Sequence, residues 1–279
     1  MHDPLGDEMK ALERASAPEA FPRDLPIYAR IDGRGFSRFT RGMKRPFDER
    51  MTNAMLRTAV ALFKDTGAKA AYVQSDEISL VWEPTPEVGE HFFGGKPFKM
   101  CSVLAGLATA HFTKAILHSE IGLADFADRL PHFDARVVGM PDRRAAAQMV
   151  AWRAQDARRN AVTMIAQSRY SHKSLQGVSS TEMRKRLTKD GVTMRSFPEI
   201  SLNGAFIYST REMRPLEEKI RMKIPEHKRP APDHLFERKT PMILTYMHPG
   251  QIGNLEAVIF EEAEPVRHLE TKTEAQETA

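Results

Sequence analysis

Asp32 is followed at once by Gly33-Arg34-Gly35, and forty-four residues later Asp76 and Glu77 stand side by side. The second pair interrupts two apolar segments, Ala70–Gln74 and Ile78–Trp82. Acids are poor strand formers, so their presence between two strand-like runs needs a reason. Carboxylates that converge at a strand edge repel one another and call for a cation. Hard oxygen donors suit Mg²⁺, which keeps several waters and binds substrate phosphates alongside one or two carboxylates. Two such ions can clamp the attacking and leaving oxygens of a phosphoryl transfer. Small glycines beside them let backbone N–H groups approach a triphosphate. Arg38, Arg41, Lys44 and Arg45 follow and can neutralise phosphate charge. Each signal has a plainer reading. Asp-Gly is a common turn dipeptide, and acids at a hairpin tip are usually solvated. Gly33-Arg34-Gly35 lacks the third glycine of a dinucleotide fingerprint, and no Gly-Lys-Ser/Thr phosphate loop occurs. The metal reading rests on Asp32, Asp76 and Glu77 being brought together.

The elements around them can do that. Pro26–Ile31 reads as a strand ending at Asp32. Asp48 is placed to cap a helix that runs to Thr66, with Gly67 just past its end. Met51, Met55, Ala59, Leu62 and Phe63 recur there at helical spacing. Ala70–Gln74 and Ile78–Trp82 form a hairpin with the acids at its tip. A helix from Phe98 to His118 and a strand over Phe133–Gly139 follow. The order strand, helix, strand, strand, helix, strand is the split βαβ, or ferredoxin-like, arrangement, an α+β fold with both helices on one face of an antiparallel sheet. In that topology the first strand lies beside the hairpin, so Asp32 and Asp76 become neighbours.

The remainder reads as an extension. Asp142 can cap a long helix reaching Tyr170, and Ser179-Ser180-Thr181-Glu182 has the form of a capping box opening a short basic helix with Arg184, Lys185 and Arg186. Leu202–Tyr208 reads as one more strand, and 214–241 as loop or flexible hairpin. The expected division is an arm over 1–22, a palm-like domain over 23–141, a helical and strand extension over 142–264, and an acidic disordered tail over 265–279.

Across 279 residues, 41% hydrophobic and 28% charged, the composition is that of a soluble globular chain. The single Cys101 excludes an internal disulfide framework and a multi-cysteine zinc site. Cys101 and Trp152 are expected in the core. His111 and His118 are expected to pack or to lie at the surface. No signal-peptide pattern opens the chain, and no apolar run approaches the length of a membrane span, so a cytoplasmic setting is expected. The net charge of +4 is unevenly spread: Arg136 to Arg195 holds 13 Lys/Arg against 4 Asp/Glu. Such a section suits a polyanion or is simply a solvated helix face.

Five stretches carry a resemblance: ARIDGRGFSRFT, KRPFD, YVQSDEISLVW, FFGGKPFKMCSVLAG, and FDARVVGMPDRRAAAQMVAWRAQDARRNA. In order and spacing they resemble the tRNA-His guanylyltransferase family, including its bacterial and archaeal guanylyltransferase-like members. The likeness covers about residues 25–165, and more loosely Gly177–Glu182 and Asn203-Gly204. It implies a domain similar to the palm of polymerases and nucleotide cyclases. It also implies addition of nucleotides to the 5′ end of tRNA in the 3′-to-5′ direction. ATP or GTP would activate the 5′ phosphate, which the 3′-hydroxyl of an incoming nucleotide then attacks, with two Mg²⁺ ions serving both steps. On this resemblance Asp32, the Gly33 carbonyl and Asp76 would hold the metals, and Glu77 would support the site or share a metal. Gly33, Arg34, Gly35, Phe36 and Ser37 would cradle a triphosphate, and Arg45 and Ser75 would contact the activating nucleotide. Lys96, Lys99, Arg158, Arg159 and Asn160 would meet tRNA.

Two departures bear on substrate. Ser37 stands where many eukaryotic members carry His, and Arg158-Arg159-Asn160-Ala161 replaces a His-Ile-Asn-Asn motif, with only Asn160 kept. Both favour the like-protein branch, which resembles a repairer of truncated tRNA 5′ ends. A homotetramer, built as a dimer of dimers, is also implied. The competing readings are a nucleotide cyclase or hydrolase on the same sheet, and a non-catalytic RNA-binding protein.

Overall fold

The computed structural model describes residues 4–84, 89–118 and 120–268. The strands are β1 (Ile27–Gly33), β2 (Ala70–Gln74), β3 (Glu77–Trp82), β4 (Phe133–Gly139), β5 (Ala205–Pro215) and β6 (Leu235–Leu244). They form one antiparallel sheet in the order β4-β1-β3-β2-β5-β6. The helices are α1 (Pro4–Ser16), α2 (Phe36–Phe39), α3 (Glu49–Thr66), α4 (Pro97–Ile116) and α5 (Arg143–Gln167). After them come α6 (His172–Leu175), α7 (Ser180–Lys189), α8 (Glu199–Asn203), α9 (Glu218–Arg221) and α10 (Leu255–Glu261).

The first four strands with α3 and α4 take the expected ferredoxin-like order. Residues alternate across the sheet. Ile27, Ala29 and Ile31 of β1 face α3 and α4, and pack with Met55, Leu62, Leu104 and Phe112. Tyr28 faces the other way, with Tyr72 and Val81, toward Val150 and Ala154 of α5 and Val258 of α10. Both faces of the central strands are therefore covered, which is why β2 and β3 are buried almost throughout. α3 begins and ends as its sequence directs: the Asp48 side chain accepts from the Arg50 amide, and Gly67 closes the helix in the left-handed region.

Several expectations give way. The N-terminal arm is a helix over Pro4–Ser16, because Leu5, Met9 and Leu12 recur at helical spacing behind a proline; residues 1–3 lie outside the described set. The stretch 214–241 is not loop throughout. β5 and β6 pair in register from Phe206↔Leu244 to Pro215↔Leu235, with α9 in their connection. β5 starts only at Ala205, because residues 199–203 turn into α8 and Gly204 reverses the chain with φ 72°. Trp152 is 50% exposed rather than core, and Cys101 is only half-buried. α4, as Pro97–Leu117, does meet the length and hydropathy of a membrane span, contrary to expectation, yet its Met100, Leu104, Phe112 and Ile116 side chains are sealed in the core. Of the acidic tail, Arg267 bridges to Ile252, and residues 269–279 lie outside the described set.

Candidate active site

Asp32 lies opposite Glu77 on β3 and opposite Asp134 on β4. Directly opposed residues share a face, so a row of three acids crosses three adjacent strands on the α5 side. Asp134 is absent from the acids singled out by sequence, although its position near the start of a strand was visible there.

The fourth acid comes from the hairpin turn. Gln74 pairs with Glu77, leaving Ser75 and Asp76 as a two-residue connection. Ser75 sits in the left-handed region at φ 56°, a conformation costing a non-glycine residue on the order of 1 kcal/mol. The turn is held by the Gly33 amide donating to the Asp76 carbonyl at 3.0 Å, and by Ser75 Oγ donating to Asp76 Oδ1 at 3.0 Å. Burial pushes the Asp76 carboxyl above its ordinary range, against the Ser75 hydrogen bond, and the charge of Asp32 pushes the same way. Asp32 is thus near enough for its charge to disfavour the ionised form of Asp76.

Glu77 has a different setting. Its two oxygens accept from Arg153 Nε at 2.7 Å and Nη2 at 2.5 Å, a bidentate pair reaching across from α5. Arg153 also meets Asp156 at 3.2 Å. The carboxylate of Glu77 is occupied by that guanidinium rather than open to a cation. Among the described residues no three His, Cys, Asp or Glu side chains close on one point. What remains is two mutually repelling carboxylates, Asp32 and Asp76, beside the Gly33 backbone. That set fits Mg²⁺, whose other positions belong to waters and phosphate oxygens.

The loop after β1 is shaped by sterics. A Cβ on Gly33 would stand 2.4 Å from the Phe36 ring, so only glycine fits. Gly35 has φ 69°, and Phe36 then turns back to pack on Phe39, Phe112 and Phe133. Arg34 and Ser37 stay exposed on this loop.

Beside the turn lies a cavity of about 370 Å³. Exposed Ser37, Lys44, Arg45 and Ser75 stand with Asp76 at its mouth, while buried Met43, Met55 and Val73 lie deeper. Met164 and Gln167 of α5 contribute from the far side. An apolar pocket with ionic groups at the opening has the form of a site for a flat base with a charged tail. Asp48 also lines it, but both its oxygens are spent on the Lys44 and Arg50 amides and the Arg50 guanidinium. Those bonds hold its carboxyl down at about 2. Its part is to fix the loop that carries Lys44 and Arg45.

The expected RNA contacts divide. Lys96, Lys99, Arg159 and Asn160 are exposed, with Lys99 Nζ 5.0 Å from the Phe93 ring centre and Arg159 3.0 Å from Asp156. Arg158 instead turns inward and donates to Asn203 Oδ1 at 2.6 Å, and burial pulls its pKa down. It is a scaffold contact, not a free phosphate ligand.

A family model for tRNAHis guanylyltransferase matches residues 6–141. The tRNA(His) guanylyltransferase of Schizosaccharomyces pombe is 29% identical over 204 residues, 67% of this chain and 76% of the relative. A protein of Acanthamoeba polyphaga mimivirus is 30% identical over 119 residues, and the match spans only 40% of that relative's length. A solved bacterial tRNA(His) guanylyltransferase-like protein in complex with ATP is 31% identical with a TM-score of 0.66, covering 74% of this chain and 86% of that one. Another, in complex with GTP, is 26% identical with a TM-score of 0.64, covering 86% and 91%. The chain belongs to the tRNA-His guanylyltransferase family, a family of nucleotidyltransferases.

Proposed function

We propose that this protein is a Mg²⁺-dependent nucleotidyltransferase that extends the 5′ end of tRNA in the 3′-to-5′ direction, after ATP or GTP activates the 5′ phosphate. The observation that carries the reading is the cavity of about 370 Å³ whose mouth is the Asp76 turn. It offers room for a base, whose phosphates would then lie beside two carboxylates and two cations. The ATP and GTP bound by the two bacterial relatives support a nucleotide there. The Ser37 and Arg158 departures favour truncated tRNAs over strict recognition of tRNA-His.

Asp32, the Gly33 carbonyl and Asp76 would hold the metal. Mg²⁺, when bound, supplies charge neutralisation at the attacking and leaving oxygens. The chain's own groups do the rest. Lys44 and Arg45 meet the polyphosphate at the mouth, and the amides after Gly33 approach its oxygens. Met43, Met55 and Val73 exclude water around the base. Arg153 keeps Glu77 as a fixed, neutralised anion, so the acid row does not collapse onto the metal position. Lys96, Lys99, Arg159 and Asn160 are the exposed groups nearest to this role for the RNA strand, and a homotetramer is the expected assembly.

The test is product analysis. With Mg²⁺, ATP and labelled GTP, the protein is expected to lengthen a tRNA lacking its first nucleotide. Incubation with GTP alone is expected to give no cyclic nucleotide and no hydrolysis on the same timescale. A cyclic product, or no extension on several truncated tRNAs and tRNA-His, would refute the proposal.

A further inference from the structure

Between Gln167 and Phe197 the chain carries seven Lys or Arg and two Asp or Glu. This segment folds around a small core of its own. Leu175, Met183, Leu187 and Val192 pack on Val162, Ile165 and Ala166 at the end of α5. Met183 and Leu187, one turn apart, direct the apolar side of α7 inward. Lys185 and Lys189, also one turn apart, are thereby left on the outside. Side-chain ties hold the pieces as one body: Tyr170 Oη donates to Asp190 at 2.7 Å, and Arg186 donates to the Ser174 carbonyl at 3.1 Å.

The positive charge is not cancelled within this body. Its two acids are engaged, Glu182 with Arg186 at 3.4 Å and Asp190 with Tyr170. Arg169, Lys173, Lys185, Lys189 and Arg195 are exposed, and make no ion pair among the described residues. Other arginines do have acidic partners, as Arg143 has Glu83 and Arg221 has Glu218. An uncompensated basic face on a rigid support repels itself and attracts a polyanion.

Its location gives that polyanion an identity. Met164 and Gln167, in the last turn of α5, line the nucleotide cavity, and Phe197 meets Phe47 of the cavity edge-on at 5.8 Å. The basic body is therefore one wall of the site. We infer that residues 167–197 form a docking face for the sugar-phosphate backbone of RNA, which holds the strand outside the cavity while its 5′ end enters. This rests on the RNA reading of the active site given above. A lysine that meets a phosphate displaces a condensed counterion, so removing one such lysine lowers the salt slope of binding by on the order of 0.7 to 0.9.

The experiment measures binding of tRNA to the full chain without nucleotide, over a salt series, with ATP binding measured separately. The test variant is Lys173→Gln/Lys185→Gln/Lys189→Gln. A control, Lys10→Gln/Lys64→Gln/Lys114→Gln, makes the same change in net charge at exposed positions on α1, α3 and α4. Expected are a loss of tRNA affinity of roughly tenfold or more near 0.1 M salt and a salt slope smaller by about two. ATP affinity should be unchanged. In turnover, KM for RNA should rise while kcat holds, and the triple Lys→Arg variant should bind as wild type does. A test variant that loses no more affinity than the control overturns the inference. If the wild-type protein binds no tRNA at all, the RNA reading of the active site falls, and this inference falls with it.

Discussion

Gly33 stands where a single methyl group has no room, 2.4 Å from the Phe36 ring. Gly33→Ala is expected to destabilise the fold by about 1–3 kcal/mol in urea titration, the usual cost of forced overpacking. It should also depress nucleotide addition, because the shift falls on the residue after Asp32. Asp32→Asn and Asp76→Asn should each lower nucleotide addition by about a thousandfold or more, a loss of roughly 4 kcal/mol of transition-state stabilisation. Millimolar Mg²⁺ should raise the Tm of the wild type and not of either variant, since only a native state with both acids binds the ion well. Asp48 makes a pH prediction. Its carboxyl is held near 2 instead of 3.8, chiefly by the Arg50 hydrogen bond. A depressed acid contributes stability that is present above its unfolded value and lost as pH falls through the folded one. Wild type should exceed Asp48→Asn by about 2 kcal/mol at pH 7, and the gap should close between about pH 4 and pH 2. Asp32 and Asp76 were legible because acids are out of place at those positions. The partner of Glu77 was not, since Arg153 lies 76 residues away in the sequence, among the many charges of α5.

α5 owes its seat on the sheet to small residues. Ala146, Ala147, Val150, Ala154, Ala157 and Ala161 make the buried stripe, and Arg153 reaches from its edge to Glu77. Arg153→Met leaves the carboxylate of a largely buried pair without its cation. The expected cost is about 3 kcal/mol in chemical unfolding, with Arg153→Lys retaining part of it because lysine cannot match both oxygens at once. The same stripe explains why Trp152 misled: the bulkiest apolar residue lies off the line that alanines occupy. Cys101 fails likewise, one residue round from the Met100-Leu104-Ala108-Phe112 row of α4. The four palm strands were readable because their apolar runs are bounded by turn residues. β6 was not, because exposed and half-buried side chains alternate from Leu235 to Thr240, Pro241 to Ile243 are exposed, and only Leu244 is buried. Its regularity comes from pairing with β5, which the sequence of either strand alone does not encode.

The whole molecule divides its work between the two faces of one sheet. The cavity beside the turn lies on the α3 side, where Met55 and Val73 belong to the larger core. The acid row lies on the α5 side, where Arg153 steadies Glu77. The Asp76 turn sits between them, at the end of the strands. On the proposed function, an RNA end entering from one side would meet a nucleotide held on the other, with the reaction at the turn. Direction is the property that most needs testing. A tRNA lacking its first nucleotide, with its 3′ terminus oxidised so that it can accept nothing, is incubated with Mg²⁺, ATP and labelled GTP, and the product is sized and mapped. The expected product is a lengthened RNA with the new residue at the 5′ end, absent with Asp76→Ala. Extension that disappears when the 3′ end is blocked would contradict 3′-to-5′ addition.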